Sequence, residues 1–106
     1  MLSKQDKIIA QELKDRIKQI LPIIDFKIFG SRARGEATGE SDLDVYIEVK
    51  NISLKQIQKI REISFEVGFE MDRLISTFVV TTEQLEHGAV GANPIIFKIN
   101  EEGVTV

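Results

Sequence analysis

Phe29-Gly30-Ser31-Arg32-Ala33-Arg34-Gly35, followed after a polar excursion by Ser41-Asp42-Leu43-Asp44-Val45-Tyr46-Ile47-Glu48-Val49, is the stretch from which the fold can be read. Residues 23–29 are rich in β-formers (Ile23, Ile24, Phe26, Ile28, Phe29) and read as a strand that Gly30 breaks. Residues 31–34 open a short helix. Residues 35–41, with Gly35 and Gly39, form a loop. Beyond it the pattern has period two. Leu43, Val45, Ile47 and Val49 fall on one face, and Asp42, Asp44, Tyr46 and Glu48 on the other, the signature of a half-buried strand.

Outward from this stretch the periodicity becomes helical. On the N-terminal side Ile8, Ile9, Leu13, Ile17, Ile20 and Leu21 recur near helical spacing. Ser3 is the cap, Asp6 its box partner, and Pro22 the stop. On the C-terminal side Ser53 and Gln56 form a second capping box, opening a helix through Ile57, Ile60, Ile63 and Val67 to about Glu70. Residues 73–80 are rich in β-branched residues and read as a strand. Thr81 with Gln84 starts a shorter helix, and residues 88–93 read as a loop. Residues 94–100 fit either a helix or a strand, and Val104-Thr105-Val106 a terminal edge strand. Helices alternating with strands predict a sheet with helices packed against it.

Bulk composition narrows the function. With 106 residues the chain is the size of one domain. The absence of cysteine excludes disulfides, zinc–thiolate sites and cysteine nucleophiles, and fits a reducing compartment. A formal net charge of −3 disfavours a nucleic-acid substrate. No run approaches the roughly 20 apolar residues that span a bilayer, and the polar N-terminus does not resemble a signal peptide. A cytoplasmic location is expected.

The chemistry concentrates at two points. Glycine lets backbone approach a ligand closely, and the helix start after Gly30 offers N–H groups to an anion. The Ser31 hydroxyl adds a donor to a phosphate oxygen. Taken alone, Gly-Ser is also an ordinary strand-to-helix turn. Asp42 and Asp44, two apart on a strand, leave the same face. Two such charges at about 4 Å repel by roughly 4 kcal/mol at an effective dielectric near 20. A cation relieves that repulsion, and all-oxygen ligation shared with water and phosphates suits Mg²⁺. Taken alone, Asp-x-Asp also describes a solvated edge-strand face. Of the two arginines in the excursion, Arg34 reads as a phosphate contact and Arg32 as solvated charge. His87 is the single histidine and falls in a loop, so no catalytic dyad is expected. Tyr46 reads as a packed or cross-strand tyrosine, and Lys50 and Lys98 as solvated.

Taken together, Gly30-Ser31, ten residues, and Asp42-Leu43-Asp44 resemble the signature of the DNA polymerase β-like nucleotidyltransferase superfamily, and within it the minimal nucleotidyltransferase (MNT) group. The resemblance implies an α/β (α+β) palm-like fold, a small mixed sheet with helices against it, as one domain over residues 1–106. It implies two-metal phosphoryl transfer from ATP, with three carboxylates holding two Mg²⁺ ions about 3.5–4 Å apart. Asp42 and Asp44 map onto the first two. The third is expected on a neighbouring strand, where Asp72 is the candidate and Glu70 the fallback. Asp72 departs from the family pattern in lying between Met71 and Arg73 rather than inside an apolar strand. Gly30, Ser31 and Arg34 would grip the nucleotide. The implied partner is a helical RNase toxin of HEPN type, which an MNT antitoxin neutralises by adding AMP to a tyrosine. The rival readings are an antitoxin that masks such a partner without catalysis, and a transferase acting on a small molecule of aminoglycoside type. A homo-oligomer is a further option.

Overall fold

The computed structural model describes residues 2–38 and 41–106; Gly39 and Glu40 of the expected loop lie outside the described residues. The elements run α1 (Lys4–Lys18), β1 (Asp25–Phe29), α2 (Ser31–Arg34), β2 (Leu43–Val49), α3 (Leu54–Glu70), β3 (Ile75–Thr81), α4 (Thr82–His87), α5 (Pro94–Glu102) and β4 (Val104–Thr105). The four strands form one mixed sheet in the order β3-β2-β1-β4. β1 pairs antiparallel with β2 and β4, and β2 pairs parallel with β3. The parallel pair requires a crossover, which α3 supplies.

The period-two pattern of β2 divides the core. Leu43, Val45, Ile47 and Val49 join Phe26 and Ile28 of β1 beneath the apolar faces of α1 and α3. On the opposite face Tyr46 and Val80 pack against Ile96 and Ile99 of α5. The sheet is therefore covered fully on one side and partly on the other, and the aspartates open on the partly covered side. Among the described residues no helix is long and apolar enough to cross a membrane.

Local chemistry sets most element boundaries. Ser53 and Gln56 form the expected box, at 3.0 and 3.1 Å, and Thr81 and Gln84 another, at 2.9 and 3.2 Å. The ambiguous 94–100 segment is a helix: the Asn93 side chain accepts from the Ile95 N–H, and Pro94 fits the first helical position. Other expectations need correction. α1 ends at Lys18, not at Pro22, because the Gln19 N–H turns to the Arg16 and Ile17 carbonyls. β1 begins at Asp25 rather than Ile23. β3 begins at Ile75 rather than Arg73, because Asp72 adopts φ 53° and the Arg73 N–H returns to the Gly68 carbonyl at 2.8 Å. His87 closes α4 instead of lying in a loop, and a 3-10 turn at Ala89–Ala92 interrupts the expected loop after it.

The capping box expected at Ser3 is only half formed. The Ser3 hydroxyl accepts from the Asp6 N–H at 3.0 Å, but the Asp6 carboxylate does not return to the cap. It is 2% exposed and meets Arg32 at 3.2 Å and Arg73 at 2.9 Å. The buried Arg32 and the largely covered Arg73 outcompete one exposed N–H for this anion.

Candidate functional site

The site begins where β1 ends. Register pairing sets Phe29 opposite Asp44, so the end of β1 and the start of β2 lie side by side. Gly30 follows with φ 77° and ψ −158°, a region that residues with a Cβ scarcely enter. A Cβ on Gly30 would stand 2.3 Å from Asp44 Oδ2. The glycine is therefore required twice, by its dihedrals and by the carboxylate packed against it. Ser31 starts α2, and the Arg34 N–H closes its single turn on the Gly30 carbonyl at 3.1 Å. Gly35, at φ 77°, ends it.

Asp44 is half-buried. Burial and the neighbouring Asp42 charge push its carboxyl above the usual carboxylate value, and Arg34 partly offsets the shift. Arg34, Asp42 and Asp44 thus form one electrostatic unit. Arg34 is drawn away from full commitment to it, pairing with Glu36 at 3.1 Å and Glu102 at 3.2 Å.

Arg32 is not the solvated charge that its sequence context suggested. It is 6% exposed and donates to the Ser41 carbonyl at 2.7 and 3.0 Å and to the Thr38 carbonyl at 3.2 Å. Behind it stands the buried Asp6. Arg32 thereby fixes the backbone one residue before Asp42, a role that only the tertiary fold reveals.

The third carboxylate is where sequence and structure part. On β3 the residue in register with Asp44 is Ser76, and parallel pairing puts the two on the same face. Asp72 lies four residues earlier, exposed in the α3–β3 turn, and borders a groove with Phe65 and Phe69 of α3. Glu70 is paired with Arg16 at 2.6 Å. Among the described residues no three acidic or imidazole side chains gather closely enough to hold a metal. Asp42 and Asp44 are brought together; Asp72 borders the same groove as Ser41, the residue before Asp42, without completing a three-acid cluster, and Glu70 is held by Arg16. Ser76 is the residue that sequence reading missed. Counting alternate residues back from Val80 through Phe78 would have found it, had the strand start been known.

Tyr46 is the packed tyrosine expected. It is 3% exposed, its ring stacks on Phe78 at 6.4 Å, and burial pushes its phenol up to about 12. Lys50 and Lys98 are exposed.

Proteins of known family are similar along most of this length. The nucleotidyltransferase domain family matches residues 10–98. A Methanocaldococcus jannaschii protein named "putative protein adenylyltransferase" is 39% identical over 74 residues, covering 69% of each chain. Two solved structures share the fold across 97% of this chain. One, a toxin–antitoxin with AMP-PNP, has a TM-score of 0.62 at 17% identity, over 72% of its own length. The other, a "putative nucleotidyltransferase" from Sulfolobus solfataricus, has a TM-score of 0.53 at 18% identity, over 86% of its length. With the Gly30–Asp44 geometry in place and most of its length matched, this chain belongs to the nucleotidyltransferase domain family.

Proposed function

We propose that the chain transfers AMP from ATP to a hydroxyl group of a partner protein, as the antitoxin of a helical RNase toxin of HEPN type. The observation that carries this reading is the contact of Gly30 with the Asp44 carboxylate, which brings the two halves of the motif side by side at the end of β1 and the start of β2. The name of the M. jannaschii relative supports the adenylyl group and a protein acceptor. The likeness to the toxin–antitoxin solved with AMP-PNP supports the biological setting.

The donor set fits Mg²⁺. Asp42 and Asp44 offer only oxygen, and their mutual repulsion falls when a cation lies between them. When bound, Mg²⁺ would neutralise triphosphate charge and orient the α-phosphate. Gly30 gives the triphosphate room to approach the backbone, Ser31 donates to a phosphate oxygen, and Arg34 supplies a positive charge at the rim. In the transfer an acceptor oxygen bonds to the α-phosphorus, the bond to the β-phosphate bridge breaks, and pyrophosphate and the hydroxyl proton leave.

One observation favours a second reading. The residue in register with Asp44 on β3 is Ser76, not an acid, and no third carboxylate gathers with Asp42 and Asp44 among the described residues. A site with two acids suits binding of nucleotide and one metal without efficient transfer, and the chain would then neutralise its partner by contact alone. Intact-mass spectrometry of the partner, after incubation with this chain, ATP and Mg²⁺, separates the two. Mass gains in steps of AMP that vanish with Asp42→Ala and Asp44→Ala establish transfer. A stable complex with no mass gain overturns it in favour of masking.

A further inference from the structure

An exposed surface on α3 lies on the far side of the sheet from Asp44. Leu54, Phe65 and Phe69 are 80%, 74% and 81% exposed. At 3.6 residues per turn, Leu54, Gln58, Arg61, Phe65 and Phe69 fall within about 80° of the helix circumference. They form one stripe, opposite the buried Ile60, Ile63 and Val67. The two phenyl rings stack at 6.5 Å and 18°. Leu74, 70% exposed, extends the patch across the adjoining groove. A contiguous apolar surface of this kind marks an interaction site.

The charges beside the stripe identify its occupant. On one flank only, the helix carries Lys55 and Lys59 in its N-terminal half and Glu62, Glu66 and Glu70 in its C-terminal half. When two identical helices pack antiparallel about a two-fold axis, the same flank of each meets its own counterpart reversed. Lys55 and Lys59 of one copy then lie beside Glu66 and Glu70 of the other, and the arrangement repeats by symmetry. In the same register Leu54 faces Phe69, Gln58 faces Phe65, and Arg61 comes beside Glu62. A parallel pairing about a two-fold axis would set this charged flank against the uncharged flank of the other copy, which carries Ile57, Ser64 and Gly68, and leave the charges without partners across the interface.

We propose that this face binds a second copy of the chain, α3 against antiparallel α3. The dimer leaves the Asp42–Asp44 side of the sheet open, so it is compatible with nucleotide binding and does not depend on it.

Sedimentation equilibrium over a range of concentrations tests the proposal, with circular dichroism confirming that each variant is folded. The wild-type chain is expected to dimerise. Phe65→Ser with Phe69→Ser should weaken the dimer by more than about tenfold. Lys59→Glu and Glu66→Lys should each weaken it, because each sets like charges together twice. An equimolar mixture of those two single variants should restore dimerisation, since every pair is again opposite. A wild-type chain that stays monomeric overturns the proposal and leaves the surface to a different protein. A dimer indifferent to the Phe65 and Phe69 changes also overturns it, and failure of the mixture to recover overturns the antiparallel geometry.

Discussion

Gly30 and Asp44 are in contact across two strands: the Gly30 Cα lies so near the Asp44 carboxylate that a Cβ would stand 2.3 Å from Oδ2. The two ends of the motif, separated in sequence by the whole excursion, thus form a single packing unit. Gly30→Ala forces a Cβ into this contact at φ 77°, where the dihedral strain alone costs about 1–3 kcal/mol. We expect urea denaturation to show a loss of at least that size. Any stabilisation by ATP and Mg²⁺ should disappear in the same variant. An unchanged midpoint would mean that the Asp44 side chain swings away freely and that the contact has no structural weight.

Asp6 couples the first helix to the same region. Its carboxylate is shared by Arg32 and Arg73, and Arg32 in turn holds the Ser41 and Thr38 carbonyls. Asp6→Ala would leave two largely buried guanidinium groups without their anion, a change that typically costs about 3–5 kcal/mol. Asp6→Ala with Arg32→Met should recover part of the loss, because one uncompensated charge is removed. Chemical denaturation of the single and double variants measures this coupling. Strict additivity of the two changes would contradict it.

The strand that presents the aspartates was legible because one alternating pattern both buries Leu43, Val45, Ile47 and Val49 and exposes the carboxylates. The boxes at Ser53 and Thr81 were legible because capping is local, needing only residues three apart. Asp6 was misread for the complementary reason. Its spacing from Ser3 suits a box, but its partners, Arg32 and Arg73, are remote in the sequence and only the fold brings them near. The strand start beside Asp72 was misplaced on similar grounds. Asp72 stands just before a β-branched run, yet its positive φ delays the strand to Ile75, and the residue beside Asp44 becomes Ser76. Register between parallel strands depends on how the intervening helix ends, which periodicity does not reveal.

The raised Asp44 carboxyl gives a sign that can be tested. The folded chain holds this proton more tightly than the unfolded chain, so the folded state binds more protons over the window between the two values. Stability from this group is present at low pH and falls as pH rises from the ordinary carboxylate value through the higher folded one. Asp44→Asn removes the charge and should stabilise the metal-free protein at neutral pH, by less than about 1 kcal/mol because solvent screens the pair. The same substitution should abolish the thermal shift produced by Mg²⁺ and ATP. A variant that is less stable than wild type without metal would show that Asp44 makes native contacts outweighing its repulsion by Asp42.

Tyr46 provides an independent check on the opposite face of the sheet from α3. It is the single tyrosine of a chain without tryptophan, so its phenolate band can be followed without interference. Burial, then Glu48 and Asp25, push its phenol up to about 12. An unfolded chain ionises near 10, so between about 10 and 12 the unfolded state loses a proton that the folded state keeps. Stability contributed by the neutral phenol is complete below that window and falls as pH rises through it. Spectrophotometric titration of the folded protein should show the phenolate emerging only near the upper end, and Tyr46→Phe should flatten the decline in thermal stability across the same range. A phenolate appearing near the ordinary value while the protein remains folded would place Tyr46 in contact with water. That outcome would open the Tyr46 ring, on the same strand face as Asp44, to stacking by a nucleotide base.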